Sequence, residues 1–402
     1  MPKDTSAKDK QPANRPLSSP PISRSVPMKP IQMVDLSTQY QRIKPEVDAA
    51  IQRVIDHAQF INGPEVKAFE KDLATYNGSR HVVACGNGTD ALQIAMMALG
   101  LKPGDEVITP SFTFAATVEV IALLGLTPVY AEVHPRTFLM DPEDVARKIT
   151  PLTKAIVPVH LFGQVAPMEQ LLRLAEERGL YVIEDNAQAI GATYTFSDGS
   201  MQRSGAMGHV ATTSFFPSKN LGGYGDGGAL FTNDDDIARK LRRVCNHGSE
   251  KRYYHEVVGV NSRLDTLQAA ILGVKLKHLD DYAAARNRAA AYYDAAFHGM
   301  DHVHVPERSP LSTHVFHQYT LRITGGHRDG LRQHLEANGV PSMIYYPVPC
   351  HLQKAYHNAD FPAGSLAVTE QLAAEVLSLP MSTELDDEQL AHITATVKSY
   401  FN

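Results

Sequence analysis

A chain of 402 residues, 43% hydrophobic and 20% charged with a formal net charge of −6, has room for two domains and a sizeable core and the make-up of an ordinary globular protein. With no basic block beyond its amino-terminal tail it offers nothing for tracking nucleic-acid phosphates, and no run of about 18 apolar residues provides a membrane span. Cys85, Cys245 and Cys350 are few, far apart and form no C-x-x-C pair, which argues for a reducing compartment, expected to be the cytoplasm, and against disulfides or structural zinc.

Residues 1–30 hold seven prolines with Lys, Ser and Asp and no apolar stretch, the composition of a disordered leader rather than a signal peptide. Apolar residues then recur at helical spacing over 44–58 and 64–76. From residue 81 strand and helix signals alternate: strand 81–85, helix 89–99, strand 105–109, helix 114–124, strand 127–133, helix 142–149, strand 154–160, helix 168–178 and strand 180–184. Strands at 209–216 and 227–232 follow, then a helix at 234–244 behind the cap-like Asn233-Asp234-Asp235. This alternation predicts a mainly parallel sheet with helices on both faces, and ligands in such sheets sit beyond the carboxyl ends of the strands.

From Arg263 to about Phe297 the chain is rich in Ala and Leu, with no proline and the single glycine Gly273. A long helix, straight or kinked, is expected there, leaving the large domain for a smaller one. The rest reads as strand 315–323, helix 329–338, a further strand and a terminal helix 386–400, an α+β unit. His298, His302 and His304 lie in a polar connection without the spacing to converge on a metal, so no metal site is expected.

The chemistry concentrates at residues 205–228. A β-rich run ends in Pro217-Ser218-Lys219-Asn220, followed by Gly222, Gly223, Gly225, Gly227 and Gly228. A lysine just past a strand, among residues that let backbone approach closely, suits an amine that must meet a planar ligand at a fixed angle. Upstream, Tyr181 to Asp185 reads as a buried strand ending in a carboxylate. Lysine plus aspartate are the groups a pyridoxal phosphate site needs. Each has a plainer reading, an exposed lysine and a helix cap. Gly88 and Thr89 open a helix, where unpaired N–H groups attract anions, although one G-x-G-T is a weak phosphate signal. Phe114, at a helix start, reads as core by spacing alone.

Taken together, NGTDALQIA (87–95), ITPSFTFAAT (108–117), VHLFGQ (159–164), VIEDNAQAIGA (182–192), SFFPSKNLGGYGDGGALFTND (214–234) and GVNSRLDTLQAAILGVKL (259–276) resemble the DegT/DnrJ/EryC1/StrS sugar aminotransferases, over most of residues 31–400. The resemblance implies an aspartate-aminotransferase-like (fold type I) α/β architecture. A large domain at 31–275 would carry a mixed, mostly parallel seven-stranded sheet, and 276–402 would form a small C-terminal domain. It implies pyridoxal 5′-phosphate, with pyridoxamine phosphate during turnover, held by Lys219, Asp185 at the pyridine nitrogen, Gln188 near the phenolic oxygen, Gly88, Thr89 and Ser214 at the phosphate, and Phe114 over the ring. Lys219 would be the catalytic base; relatives with histidine there are dehydratases. Asn261 matches a residue sent into the neighbouring subunit, which implies a homodimer with shared sites. Arg263, His317, Tyr345 and His351 match sugar-side positions, although the usual word has histidine where this chain has Tyr345. Lys251 and Arg252, beside Tyr253-Tyr254-His255, suit a phosphate or uracil, or else a solvated loop. The implied reaction takes the amine of L-glutamate to the C3 ketone of a nucleotide sugar, closest to UDP-2-acetamido-2-deoxy-3-oxo-glucuronate in lipopolysaccharide O-antigen synthesis. Other 3-oxo or 4-oxo sugars, and a non-catalytic sensor, are the alternatives. No nucleic acid or membrane partner is expected.

Overall fold

The computed structural model describes residues 1–3 and 28–402; most of the expected leader, 4–27, lies outside the described residues. Helices α1 (Leu36–His57) and α2 (Pro64–Asn77) precede strand β1 (His81–Cys85) and α3 (Gly88–Ala98). The alternation continues through β2 (Glu106–Pro110), α4 (Ala116–Leu123), β3 (Thr127–Ala131), α5 (Pro142–Lys148), β4 (Thr153–Ile156), α6 (Met168–Arg178) and β5 (Tyr181–Asp185). A hairpin, β6 (Thr193–Thr195) and β7 (Met201–Arg203), leads to β8 (Val210–Ser214), β9 (Gly228–Thr232) and α7 (Asp235–Cys245).

Seven of these strands form one sheet in the order β1-β9-β8-β5-β4-β2-β3. Only β9 runs against the rest, pairing antiparallel with both β1 and β8. Alternate residues serve opposite faces, as the two-residue period of a strand requires. Val83, Val107, Ala155, Ile183 and Leu230 pack under α3, α4 and α7 through Leu92, Ile94, Val120, Ile121 and Leu241. Their neighbours Val82, Ala84, Ala211 and Phe231 face Phe69 and Leu73 of α2. Ile108, Ile156 and Val182 meet Leu171 and Ala175 of α6 on the same side.

A second hairpin, β10 (Ser249–Lys251) and β11 (Tyr254–His255), leads to α8 (Thr266–Leu276) and α9 (Leu279–Phe297). The long helix expected over 263–297 is there, but interrupted. Residues 277–278 break it, and each half serves a different core. Leu272 and Leu276 of α8 join the sheet-side cluster, whereas Tyr293 and Phe297 of α9 build a separate one. That second core gathers β12 (Val303–His304), β13 (Tyr319–Ile323), α10 (Arg328–Ala337), β14 (Val376–Leu379) and α12 (Asp387–Phe401), with β12-β13-β14 as its sheet, while Leu372 and Ala373 of α11 (Ala367–Glu375) pack instead with Phe112, Val159 and Phe162.

Two expected boundaries also move. The first helix begins at Leu36 rather than 44: Asp35 caps it by accepting the Thr38 N–H at 2.9 Å, and Pro45, which reads as a start signal, lies inside. The strand expected from 315 begins at Tyr319. Residues 314–318 instead form an irregular strap in which Phe316 has a φ of 45° and its ring stacks on His314 at 3.8 Å.

Candidate active site

Strands β1, β5 and β8 end at the same edge of the sheet, so Cys85, Asp185 and Ser214 arrive together although 129 residues separate the first from the last. Beyond β8 the chain tightens: Phe215 N–H donates to Gly227 O at 2.7 Å, Gly223 N–H to Phe215 O at 2.8 Å and Lys219 N–H to Phe216 O at 2.8 Å. A Cβ on Gly222 would fall 2.2 Å from Pro217 O, so this turn closes only with glycine there. Lys219 is thus fixed at its backbone, half-buried, with its amine within reach of the Asp185 charge. Burial pushes its pKa down to about 8, against the pull of the Asp185 carboxylate.

Asp185 is buried and oriented from two sides. Thr117 Oγ1 donates to its Oδ2 at 2.8 Å, and the Ala187 N–H to its Oδ1 at 3.2 Å. Gln188, also buried, accepts the Phe162 N–H at Oε1 (2.7 Å) and donates from Nε2 to the Tyr346 hydroxyl (3.0 Å). Burial raises the Tyr346 pKa well above that of a free phenol, so this hydroxyl stays protonated. The ring of Phe114 lies 6.0 Å from that of Tyr346, and Phe114 is 56% exposed, an apolar surface its own chain leaves uncovered.

Behind this group, Glu184 is fully buried and accepts the N–H groups of Gly205, Met207 and Gly208 at 2.7, 2.8 and 2.6 Å. His160 Nε2 lies 2.8 Å from its carboxylate, while His160 Nδ1 accepts the Ala166 N–H at 3.1 Å. His160 is therefore the neutral Nε2–H tautomer. Burial works to raise the Glu184 pKa, and these donors more than reverse it, leaving the carboxylate ionised.

At the start of α3, Asn87 takes the Asp90 N–H on its side chain and the Ala91 N–H on its carbonyl. The N–H groups of Gly88 and Thr89 remain as the free donors of a helix start. A Cβ on Gly88 would sit 2.7 Å from Ser214 Cβ and 3.3 Å from its hydroxyl. Glycine N–H, threonine N–H and serine hydroxyl thus form a small cradle with the helix dipole behind it.

The remaining expected residues divide. His317 is brought in: it is buried, its Nδ1 has no partner, and it lies close enough to Lys219 for that amine to lower its pKa. Tyr345 is half-buried against Tyr346, with ring centroids 5.9 Å apart. Asn261 and Arg263 point to the surface. Between them Ser262 is buried, donating to Asp90 Oδ2 at 2.5 Å and accepting the Gly86 N–H at 2.8 Å. Lys251 and Arg252 are exposed on the β10–β11 hairpin, each over its own tyrosine, Tyr254 and Tyr253, at 4.8 and 4.9 Å. His351 is held by protein at both ring nitrogens. It is 1% exposed, with Nδ1 2.7 Å from Ser111 Oγ and Nε2 3.2 Å from Glu370 Oε1. These contacts brace the 111–114 loop against the C-terminal segment. Thr117, Phe162 and the His160–Glu184 pair escaped the sequence reading, because nothing in local spacing marks a threonine in an apolar helix as a carboxylate's partner.

Comparison with known proteins agrees with this arrangement. The profile of the DegT/DnrJ/EryC1/StrS aminotransferase family matches residues 41–398. UDP-2-acetamido-2-deoxy-3-oxo-D-glucuronate aminotransferase of Pseudomonas aeruginosa is 47% identical, over 91% of this chain and 99% of its own. The pleiotropic regulatory protein of Geobacillus stearothermophilus is 46% identical, over 92% and 98%. Among solved structures, DesV of S. venezuelae, in complex with a ketimine intermediate, superposes with a TM-score of 0.89 at 42% identity, covering 93% of this chain and 99% of DesV.

Proposed function

The chain belongs to the DegT/DnrJ/EryC1/StrS aminotransferase family, and from that premise we propose that it moves the amino group of L-glutamate to the C3 ketone of UDP-2-acetamido-2-deoxy-3-oxo-glucuronate, in the cytoplasmic assembly of lipopolysaccharide O-antigen. It is a pyridoxal-phosphate-dependent transaminase of nucleotide sugars. The observation that carries the proposal is a half-buried lysine of lowered pKa beside an oriented aspartate, in a chain 47% identical to an enzyme named for that substrate.

The residues present fit the cofactor. The Gly88–Ser214 contact leaves a cradle that any Cβ would fill, and the Lys219 and Asp185 side chains converge. Gly88, Thr89 and Ser214 would hold the phosphate, Asp185 the pyridine nitrogen, Gln188 the phenolic oxygen and Phe114 a ring face. When bound, pyridoxal phosphate supplies the electron sink and carries the amino group between the two substrates.

The chain supplies the rest. With a pKa near 8, Lys219 Nζ is a free amine for a useful fraction of the time near neutral pH, so it can take a proton from a substrate carbon and return it. Thr117 and the Ala187 N–H keep the Asp185 oxygens from turning away. Phe162 and Tyr346 hold Gln188 from both ends. The surface positions of Asn261 and Arg263 support a homodimer in which they complete the partner's site. Separate cores and the break at 277–278 support a division into 31–275 and 276–402.

Incubating the enzyme with glutamate and a panel of 3-oxo and 4-oxo nucleotide sugars tests the substrate. Amination of a 4-oxo-6-deoxy sugar, with none of the 3-oxo-uronate, would overturn it. The regulatory name of one relative favours a second reading, a sensor of cofactor or sugar. A sensor would leave the visible absorbance of the bound cofactor unchanged when glutamate is added; an aminotransferase would bleach it.

A further inference from the structure

One buried charge has no part in the chemistry above. Arg286, on α9, is 2% exposed, and burial alone pushes its pKa down to about 10. Its guanidinium donates to three backbone carbonyls: Phe316 O at 3.0 Å, His317 O at 3.3 Å and Met381 O at 3.0 Å. A cation taken out of water without a carboxylate is costly, and a fold that keeps one needs what it holds.

What it holds is the strap 314–318. On its far side the strap is stitched to both halves of the site. Val315 N–H donates to Gly163 O at 2.9 Å and Gln318 N–H to Phe162 O at 3.3 Å, and Phe162 is the residue whose N–H fixes Gln188. Asn220, next to Lys219, donates from Nδ2 to Val315 O at 2.9 Å. Gly163 admits no Cβ here, since one would fall 2.8 Å from Phe316 N and 2.9 Å from His317 N.

We propose that Arg286 is a positioning residue for the transamination site: from outside the pocket it clamps residues 316–317, and through them fixes both the Lys219–Asn220 turn and the Phe162–Gln188 bond. The inference rests on Lys219 being the reacting lysine. Its charge has a second effect. Three groups bear on the His317 ring, namely Gln318 on the strap itself, Lys219 from the β8–β9 loop and Arg286 from α9. Burial first, then the two cations, push the His317 pKa well down and keep the imidazole neutral beside the amine.

The full-length holoenzyme carrying Arg286→Met or Arg286→Lys tests this, with His317 followed by NMR on labelled histidine and assigned through His317→Gln. In the unmodified protein the His317 midpoint should lie well below that of a free imidazole; Arg286→Met should raise it by about one pH unit or more. The same variant should lower kcat of the glutamate half-reaction about tenfold with little change in KM. Arg286→Lys should keep His317 neutral yet recover only part of kcat, because the shorter lysine places its ammonium short of the point where Arg286 Nη1 alone meets all three carbonyls. A lower Tm with unchanged kcat and unchanged His317 titration would overturn the proposal. So would a wild-type kcat in Arg286→Lys, which decides the matter should the methionine variant not fold. Borohydride labelling of a lysine other than Lys219 would sink the reading of the site, but would leave the response of His317 to Arg286 intact, so the two failures are distinguishable.

Discussion

Thr117 and Asp185 are 68 residues apart in sequence and joined by a 2.8 Å hydrogen bond between two buried side chains. Thr117→Val keeps the shape and removes the donor, leaving a carboxylate oxygen short of a partner at a cost of about 1–3 kcal/mol. The expected result is a kcat/KM lowered about fivefold to 150-fold with the fold intact, the span that cost corresponds to when converted at 1.4 kcal/mol per decade. Equal kcat/KM for Thr117→Val and the unmodified enzyme would assign the hydroxyl to packing alone.

Lys219→Ala should abolish turnover while the variant still binds pyridoxamine phosphate, which asks nothing of the lysine. Borohydride reduction of the unmodified holoenzyme followed by peptide mapping should tag Lys219. Lys275 provides the internal control, since it is buried and likewise has a pKa lowered to about 8. Tagging at Lys275 instead would move the site.

Gly88→Ala should lose the cofactor, because its Cβ would fall 2.7 Å from Ser214 Cβ. Equilibrium dialysis against pyridoxal phosphate measures the loss. Adding Ser214→Gly should relieve the clash and restore Tm without restoring affinity, since the cradle then lacks its hydroxyl. A double variant as unstable as Gly88→Ala would place the strain elsewhere.

Acid should weaken the fold through the strap histidines. Burial pushes His314 down to about 3 and His317 in the same direction. The unfolded chain takes up these protons near pH 6.5, whereas the folded chain refuses them. Their contribution is therefore full above about 6.5 and is lost progressively as pH falls toward the folded values, on the order of 3 kcal/mol by pH 4 from His314 alone. Urea unfolding from pH 7 to 4 measures it, and His314→Gln should flatten the decline. An unchanged slope in that variant would show that His314 is not the group responsible.

Much of this architecture is legible in the sequence because the large sheet obeys local rules. Strand 81–85 and helix 168–178 coincide with β1 and α6, each bounded by turn or cap residues and carrying a clean period. The lysine turn is legible for the same reason, since glycine density advertises tight backbone. What local pattern does not carry is contact across the chain. Thr117 meets Asp185, Phe162 meets Gln188 and Arg286 meets Phe316 only after the layers stack. The strap at 314–318 misleads for a physical reason: its residues favour strands, but the left-handed Phe316 and the hydrogen bonds to 162–163 bend it out of the ladder.

The reversed strand β9 has a consequence for biogenesis. Gly228 sits opposite Cys85 in the ladder, so near that a Cβ on it would come within 2.4 Å of Asn87 O. The anion cradle at the start of α3 therefore has its floor laid by residues translated some 140 positions later, as the distance from Asn87 to Gly228 gives. A nascent chain still short of that point has helix α3 but no finished seat, so on the proposed assignment of this cradle to the cofactor's phosphate, vitamin loading awaits closure of the whole sheet, and tight retention of the cofactor reports that closure has occurred.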